Sequence, residues 1–143
     1  MSLIFDIETN GLLNETTVIH SLVIYSNTTG ELISCTDHKC EYEQVRGADY
    51  NQQLIGQPIW YGLKLLEEAD EISGHNIVKF DIPTIQKLYS DFKPKGKIFD
   101  TLLMSKLVYP DVGEIDDRKI RKGLFPKKLR GRYSLRAWGY RLK

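Results

Sequence analysis

Apolar and polar side chains alternate at the start of the chain: Leu3, Phe5 and Ile7 fall on one parity, Ile4, Asp6 and Glu8 on the other. Extended backbone sends successive side chains to opposite faces, so Leu3-Ile4-Phe5-Asp6-Ile7-Glu8-Thr9 is expected to be a strand with one apolar face and one face bearing two acids. Residues 18–25 read as a second strand, Asn27-Thr28-Thr29-Gly30 as a turn, and residues 31–35 as a third strand. The opening is a β-meander. After a polar stretch without clear period, Ile59, Leu63, Leu66 and Ala69 recur at helical spacing, with Glu67, Glu68 and Asp70 clustered at the end. A short strand over 71–73 leads into Gly74-His75-Asn76, and Ile82, Ile85, Leu88 and Tyr89 trace a second helix. Residues 97–99 read as another strand, and Asp100-Thr101 heads a third helix over 102–108 that Pro110 ends. Residues 133–142 read as a helix with Leu135, Trp138 and Leu142 on one face. Strands first, then strand–helix alternation, predict an α/β fold: a mixed sheet with helices packed on it.

At 143 residues this is expected to be one domain with a real core, and no internal repeat or low-complexity segment divides it. Its 41% apolar and 27% charged residues are those of a globular protein. No run of about twenty apolar residues suggests a membrane span, and the first residues lack the basic-then-apolar signature of a secretory leader. The cytoplasm is the default compartment. Cys35 and Cys40 flank His38, a string readable as part of a zinc site. Structural zinc wants four ligands and no second pair follows, so two reduced thiols are the better reading.

The net charge of +1 conceals an uneven distribution. Residues 118–132 hold eight basic side chains: Arg118, Lys119, Arg121, Lys122, Lys127, Lys128, Arg130 and Arg132. The Gly123-Leu124-Phe125-Pro126 string among them argues for a loop. Its charge density suits a phosphate backbone, and the alternative is a solvated loop balanced by Asp116 and Asp117.

The candidate chemistry begins at Asp6 and Glu8. Two like charges on one strand face are costly where partly withdrawn from water, and a divalent cation between them is the simplest resolution; a solvated edge-strand face is the ordinary alternative. A third acid, Asp81, begins a helix with Pro83 in its first turn, where an N-cap role and a metal-facing role can coexist. Asn76 is either a turn residue or a hydrogen-bonding partner for substrate or for a neighbouring acid.

Four strings in order carry a resemblance: Asp6-Ile-Glu8-Thr9; Asn76 with Asp81 five positions on; Phe99-Asp100-Thr101 heading a helix; and Ser134-Leu-Arg-Ala-Trp-Gly-Tyr-Arg-Leu142. Together they are similar to the 3′→5′ proofreading exonuclease domain of family A DNA polymerases, in particular the replicative polymerases of short-tailed bacteriophages. The resemblance spans nearly the whole chain, and implies a ribonuclease-H-like fold with a five-stranded mixed sheet flanked by helices. It further implies two divalent ions, magnesium or manganese, about 4 Å apart. Asp6 would bridge both, Glu8 would hold the one that activates water, and Asp81 would support the other through its water shell. Thr9, Asn10, Gly11 and Leu12 would meet the terminal nucleotide of a single-stranded or frayed DNA 3′ end. Leu12 would press on its base, core packing being the alternative for that side chain. Lys127, Lys128 and Arg130 are the candidates for the DNA backbone. Asp100 reads as a helix cap with Thr101 rather than as a catalytic group.

One departure matters. The family's third motif, Tyr-x-x-x-Asp, supplies a last metal ligand and a tyrosine that orients water. In these 143 residues no tyrosine is followed by Asp at the fourth position and no histidine by Asp at the fifth. The chain then reads as such a domain without its C-terminal helices, with little or no nuclease activity by itself. Apolar surface near the first strand should be left uncovered, implying a partner. That partner would be the remainder of a polymerase, a chain supplying the third motif, or a second copy of this chain. A non-catalytic DNA-binding or polymerase-accessory module is the competing reading.

Overall fold

The computed structural model describes residues 1–37 and 56–143. These fall into two compact units, Met1–Phe99 and Asp100–Lys143. His38 and Cys40, and with them two members of the zinc reading, lie outside the described residues; Cys35 is a buried free thiol.

In the first unit the opening alternation becomes β1 (Ser2–Thr9), followed by β2 (Ile19–Ser26) and β3 (Leu32–Cys35). β1 pairs antiparallel with β2, and β2 with β3. The meander is as expected, with its turn closed by Gly30 at φ +75, a conformation that favours glycine. Then come α1 (Ile59–Glu68), β4 (Glu71–Gly74), α2 (Asp81–Leu88) and β5 (Lys97–Asp100). β4 runs parallel to β1, so the sheet is mixed, with five strands in the order β3-β2-β1-β4-β5.

The two faces of β1 part as its alternation demands: Leu3, Phe5 and Ile7 are buried while Ile4, Asp6 and Glu8 are exposed. The buried face joins Leu22 and Ile24 of β2, Ile72 of β4, and the inward stripes of α1 and α2. Those stripes hold the residues that helical spacing indicated, Ile59, Leu63 and Leu66 on α1 and Ile82 and Ile85 on α2. Gly62 lets α1 settle onto the sheet, since a Cβ there would lie 2.6 Å from a Leu22 methyl and 2.8 Å from the Cys35 sulfur. On the opposite side of the sheet Ile4, Val23, Tyr25 and Leu32 are exposed apolar side chains.

The second unit contains α3 (Thr101–Val108), α4 (Val112–Arg121), a 3-10 turn (Lys127–Leu129) and α5 (Leu135–Arg141). Asp100 caps α3, accepting from the amides of Leu102 (2.9 Å) and Leu103 (3.3 Å).

One expectation needs correction here. The basic stretch 118–132 is not one loop, because Arg118, Lys119 and Arg121 belong to α4. That helix turns Val112 and Asp116 inward, and an inward acid hides the apolar period that reveals a helix. In α5 the Leu135–Leu142 side is exposed and Ala137 faces in. The inward position is claimed by Arg141, whose guanidinium forms a two-bond pair with the buried Asp116 carboxylate at 2.8 Å each. It also lies over the rings of Trp138 and Phe125. The Gly131 amide donates to the same carboxylate at 2.8 Å.

Candidate active site at the end of the first strand

β4 accompanies β1 only over Ser2–Ile4, opposite Glu71–Ser73. Gly74 then turns the chain away against β1, and a Cβ there would sit 2.7 Å from the Phe5 carbonyl and 2.4 Å from Ile77. The divergence leaves the Ile7 amide without a strand partner on that side. It is met instead by Asp81, whose Oδ1 accepts from it at 3.3 Å.

The turn from β4 to α2 passes through Asn76 in the left-handed region, φ +71, with its carbonyl accepting from the amides of Lys79 and Phe80. Asn76 is thus a turn residue in geometry, of a type that tolerates this conformation. Asp81 is not the N-cap of α2, which corrects one of its two expected roles. The cap position is Phe80, which makes no side-chain cap bond, and Asp81 is the first helical residue, 3% exposed, with its side chain turned to β1.

Asp81 therefore reaches the one β1 residue that lies between Asp6 and Glu8. Burial, and the Glu8 charge after it, push the Asp6 carboxyl above the ordinary value of 3.8, while His75 acts in the opposite direction. The pairing of β1 with β2 slips between Glu8 and Thr9, a bulge of the kind that re-aims side chains beside functional sites.

The following loop is closed by its own side chains. Thr9 Oγ1 donates to the Gly11 carbonyl at 2.8 Å, and Asn10 Oδ1 accepts from the amides of Thr17 (3.0 Å) and Val18 (3.1 Å). Leu12 is 73% exposed, so the core-packing alternative for it does not hold. Reading the sequence missed Lys87, which reaches back from α2 to three carbonyls of this loop. A lone lysine in a helix gives no signal of such a contact.

The proposed DNA-contacting basic residues lie in the second unit and differ in state. Lys127 and Lys128 are exposed, whereas Arg130 donates two bonds of 2.7 Å to Asp117, which spends much of its charge.

Among the described residues no group of three or more His, Cys, Asp or Glu side chains is gathered closely enough to hold a metal ion. The Asp6–Glu8 pair nevertheless suits a hard divalent cation in its donor chemistry. Both are carboxylates, they share one solvent-facing strand surface, and partial burial, with the Glu8 charge after it, raises the Asp6 pKa against an opposing pull from His75. Magnesium is commonly held by one or two carboxylates, its other positions going to water and substrate phosphate.

The sequence profile of the RNase H superfamily matches residues 3–112. The chain belongs to the RNase H superfamily. It is also similar to the DNA-directed DNA polymerases of Escherichia phage T7 and Enterobacteria phage T3, each 32% identical over 146 aligned positions that cover 98% of this chain. The chain spans only 19% of the length of these curated relatives. The superfamily and the likeness to phage DNA polymerases agree with the resemblance carried by the motifs. Asp6, Glu8 and Asp81 all fall inside the profile match, and Lys127, Lys128 and Arg130 fall beyond it.

Proposed function

We propose that this chain is a 3′→5′ exonuclease domain of a phage-type DNA polymerase, hydrolysing the 3′-terminal phosphodiester of DNA in proofreading. The observation that carries the reading is the convergence on β1: Asp6 and Glu8 on one face, with Asp81 delivered by α2 to the amide between them. The chain's similarity to the T7 and T3 polymerases supports DNA as the substrate and a polymerase remainder as partner.

Asp6 and Glu8 would hold divalent ions, magnesium or manganese, with Asp81 in support, and such ions generate hydroxide at neutral pH and neutralise charge on phosphorus. The chain's own groups do the rest. The β1 bulge aims the end of the strand, the loop after Thr9 presents Leu12 to the terminal base, and Asn76 lines the approach from β4. Lys127 and Lys128 attract the phosphate backbone, Arg130 less so because Asp117 already holds it.

With only two of the three acids on the open face, the isolated chain is expected to be weak or inactive until another carboxylate completes the site. The absence of a three-ligand cluster among the described residues favours one second reading, a DNA-binding accessory module that keeps the fold without the chemistry. The test is incubation of 5′-labelled single-stranded DNA with manganese, with and without a polypeptide carrying a Tyr-x-x-x-Asp helix. A ladder of products shortened from the 3′ end on complementation, lost in Asp6→Ala, supports the exonuclease. DNA binding with no hydrolysis under either condition supports the accessory module.

A further inference from the structure

The loop between β1 and β2 contains one turn of helix-like backbone, in which the Leu12 carbonyl accepts from the amides of Glu15 and Thr16 at 2.8 Å each. A single turn leaves its last carbonyls without partners along the chain. They are taken by Lys87 in the last turn of α2, whose Nζ donates to the carbonyls of Leu13 (3.0 Å), Asn14 (2.9 Å) and Thr16 (2.8 Å). An ammonium has three donors, and these three carbonyls use them all. A cation at the carbonyl end of a helical turn also lies where the backbone dipole favours it.

The contacts make α2 a two-ended brace. Its first residue, Asp81, holds β1 at Ile7, and its last turn holds the loop that follows β1. Asn10 closes the base of that loop, and Lys87 fixes the part from which Leu12 projects with 73% of its surface open.

We infer that Lys87 is a positioning residue for the terminal nucleotide: it touches neither the reacting atoms nor DNA, and acts by holding Leu12 where the 3′-terminal base meets it. The inference rests on the exonuclease reading of the site. Its distinguishing consequence is that Lys87 and Leu12 work as one unit.

The experiment measures affinity for a single-stranded oligonucleotide with 2-aminopurine as its 3′-terminal base, read by that base's fluorescence, in wild type, K87M, K87R, L12A and L12A/K87M. In parallel, amide exchange is followed at Glu15 and Thr16 and, as a folding reference, at Leu22 and Ile24. K87M is expected to weaken binding about fivefold and to speed exchange at Glu15 and Thr16 about tenfold, the scale of a partly exposed charge-assisted contact. K87R should stay within about twofold of wild type, and L12A/K87M should bind no more weakly than L12A, since coupled residues are non-additive. Multiplying effects, an unchanged K87M affinity, or exchange that quickens equally at Leu22 and Ile24 would each overturn the inference. A wild-type chain that never alters the 2-aminopurine signal instead overturns the exonuclease reading, and exchange at Glu15 and Thr16 then still decides whether Lys87 holds the loop.

Discussion

Replacing Asp81 by alanine deletes the acceptor of the Ile7 amide, at a place where β4 has already left β1 and cannot substitute for it. Ile7 is 5% exposed, so water does not readily replace the lost oxygen. An unsatisfied buried donor costs roughly 1–3 kcal/mol, and the 3.3 Å separation, at the long end for N–H···O, puts the expectation in the lower half, about 1–2 kcal/mol. With a urea dependence of about 1.5–2 kcal/mol per molar for a chain of this size, the midpoint should fall by about 0.5–1.3 M. Asp81→Asn keeps an oxygen at the position that meets the Ile7 amide while removing the charge and turning the second oxygen into an NH2 donor, so its midpoint should stay closer to wild type than that of the alanine variant. Both substitutions should nonetheless abolish complemented hydrolysis of DNA, separating the architectural role of the oxygen from the chemical role of the charge. Urea titration by circular dichroism gives the stabilities, and labelled DNA gives the activity. An alanine variant as stable as wild type, or an asparagine variant as unstable as alanine, would refute the argument that Asp81 is held by the Ile7 amide.

Three further outcomes follow from the geometry. The Asp6 carboxyl is raised above 3.8 by burial and then by the Glu8 charge, so whatever its protonated form contributes to stability is fully present below 3.8 and lost as pH rises through the raised value; thermal melts of Asp6→Asn and wild type should converge at low pH and separate in favour of the variant toward neutrality, and a constant offset would count against both causes. Asp116→Ala strands the Arg141 guanidinium between Phe125 and Trp138, and should destabilise the second unit by about 3–5 kcal/mol as read by Trp138 fluorescence, with Arg141→Met in the same chain recovering much of the loss. Removing Lys127 and Lys128 together should flatten the slope of log affinity against log salt for single-stranded DNA by about 1.4, while Arg130→Ala should change it less because Asp117 already neutralises that charge; an unchanged slope in the double variant would take the turn off the binding surface.

What could be read from the residues, and what could not, divides along physical lines. Alternation at Leu3 to Glu8 specified which side chains face the core, because the period of two is a local property of extended backbone. The stripes of α1 and α2 and the Asp100 cap were legible for the same reason, each depending on residues within one or two turns. α4 was hidden because Asp116, a charged residue, occupies an inward position that apolar periodicity alone would mark, and its partner Arg141 lies 25 residues away. The same pair gives α5 an inward arginine that apolar periodicity does not mark, while Leu135 and Leu142 are exposed. At the site, Asp6, Glu8 and Asp81 stand out as residue types, but Asp81's turn to Ile7 depends on where β4 diverges, a tertiary fact. Lys87 was invisible for that reason as well, since its three carbonyl partners lie 71 to 74 residues before it.

The central claim is that Asp6 and Glu8 on the first strand hold a divalent metal, with Asp81 in support from α2. It is tested most directly by paramagnetic broadening of backbone amide signals on titrating manganese into the chain. The account predicts selective loss of the Asp6, Ile7, Glu8 and Asp81 signals at low stoichiometry, reversed by excess magnesium and abolished in Asp6→Ala. Broadening that spares Ile7 and Asp81, or that persists unchanged in Asp6→Ala, would contradict it.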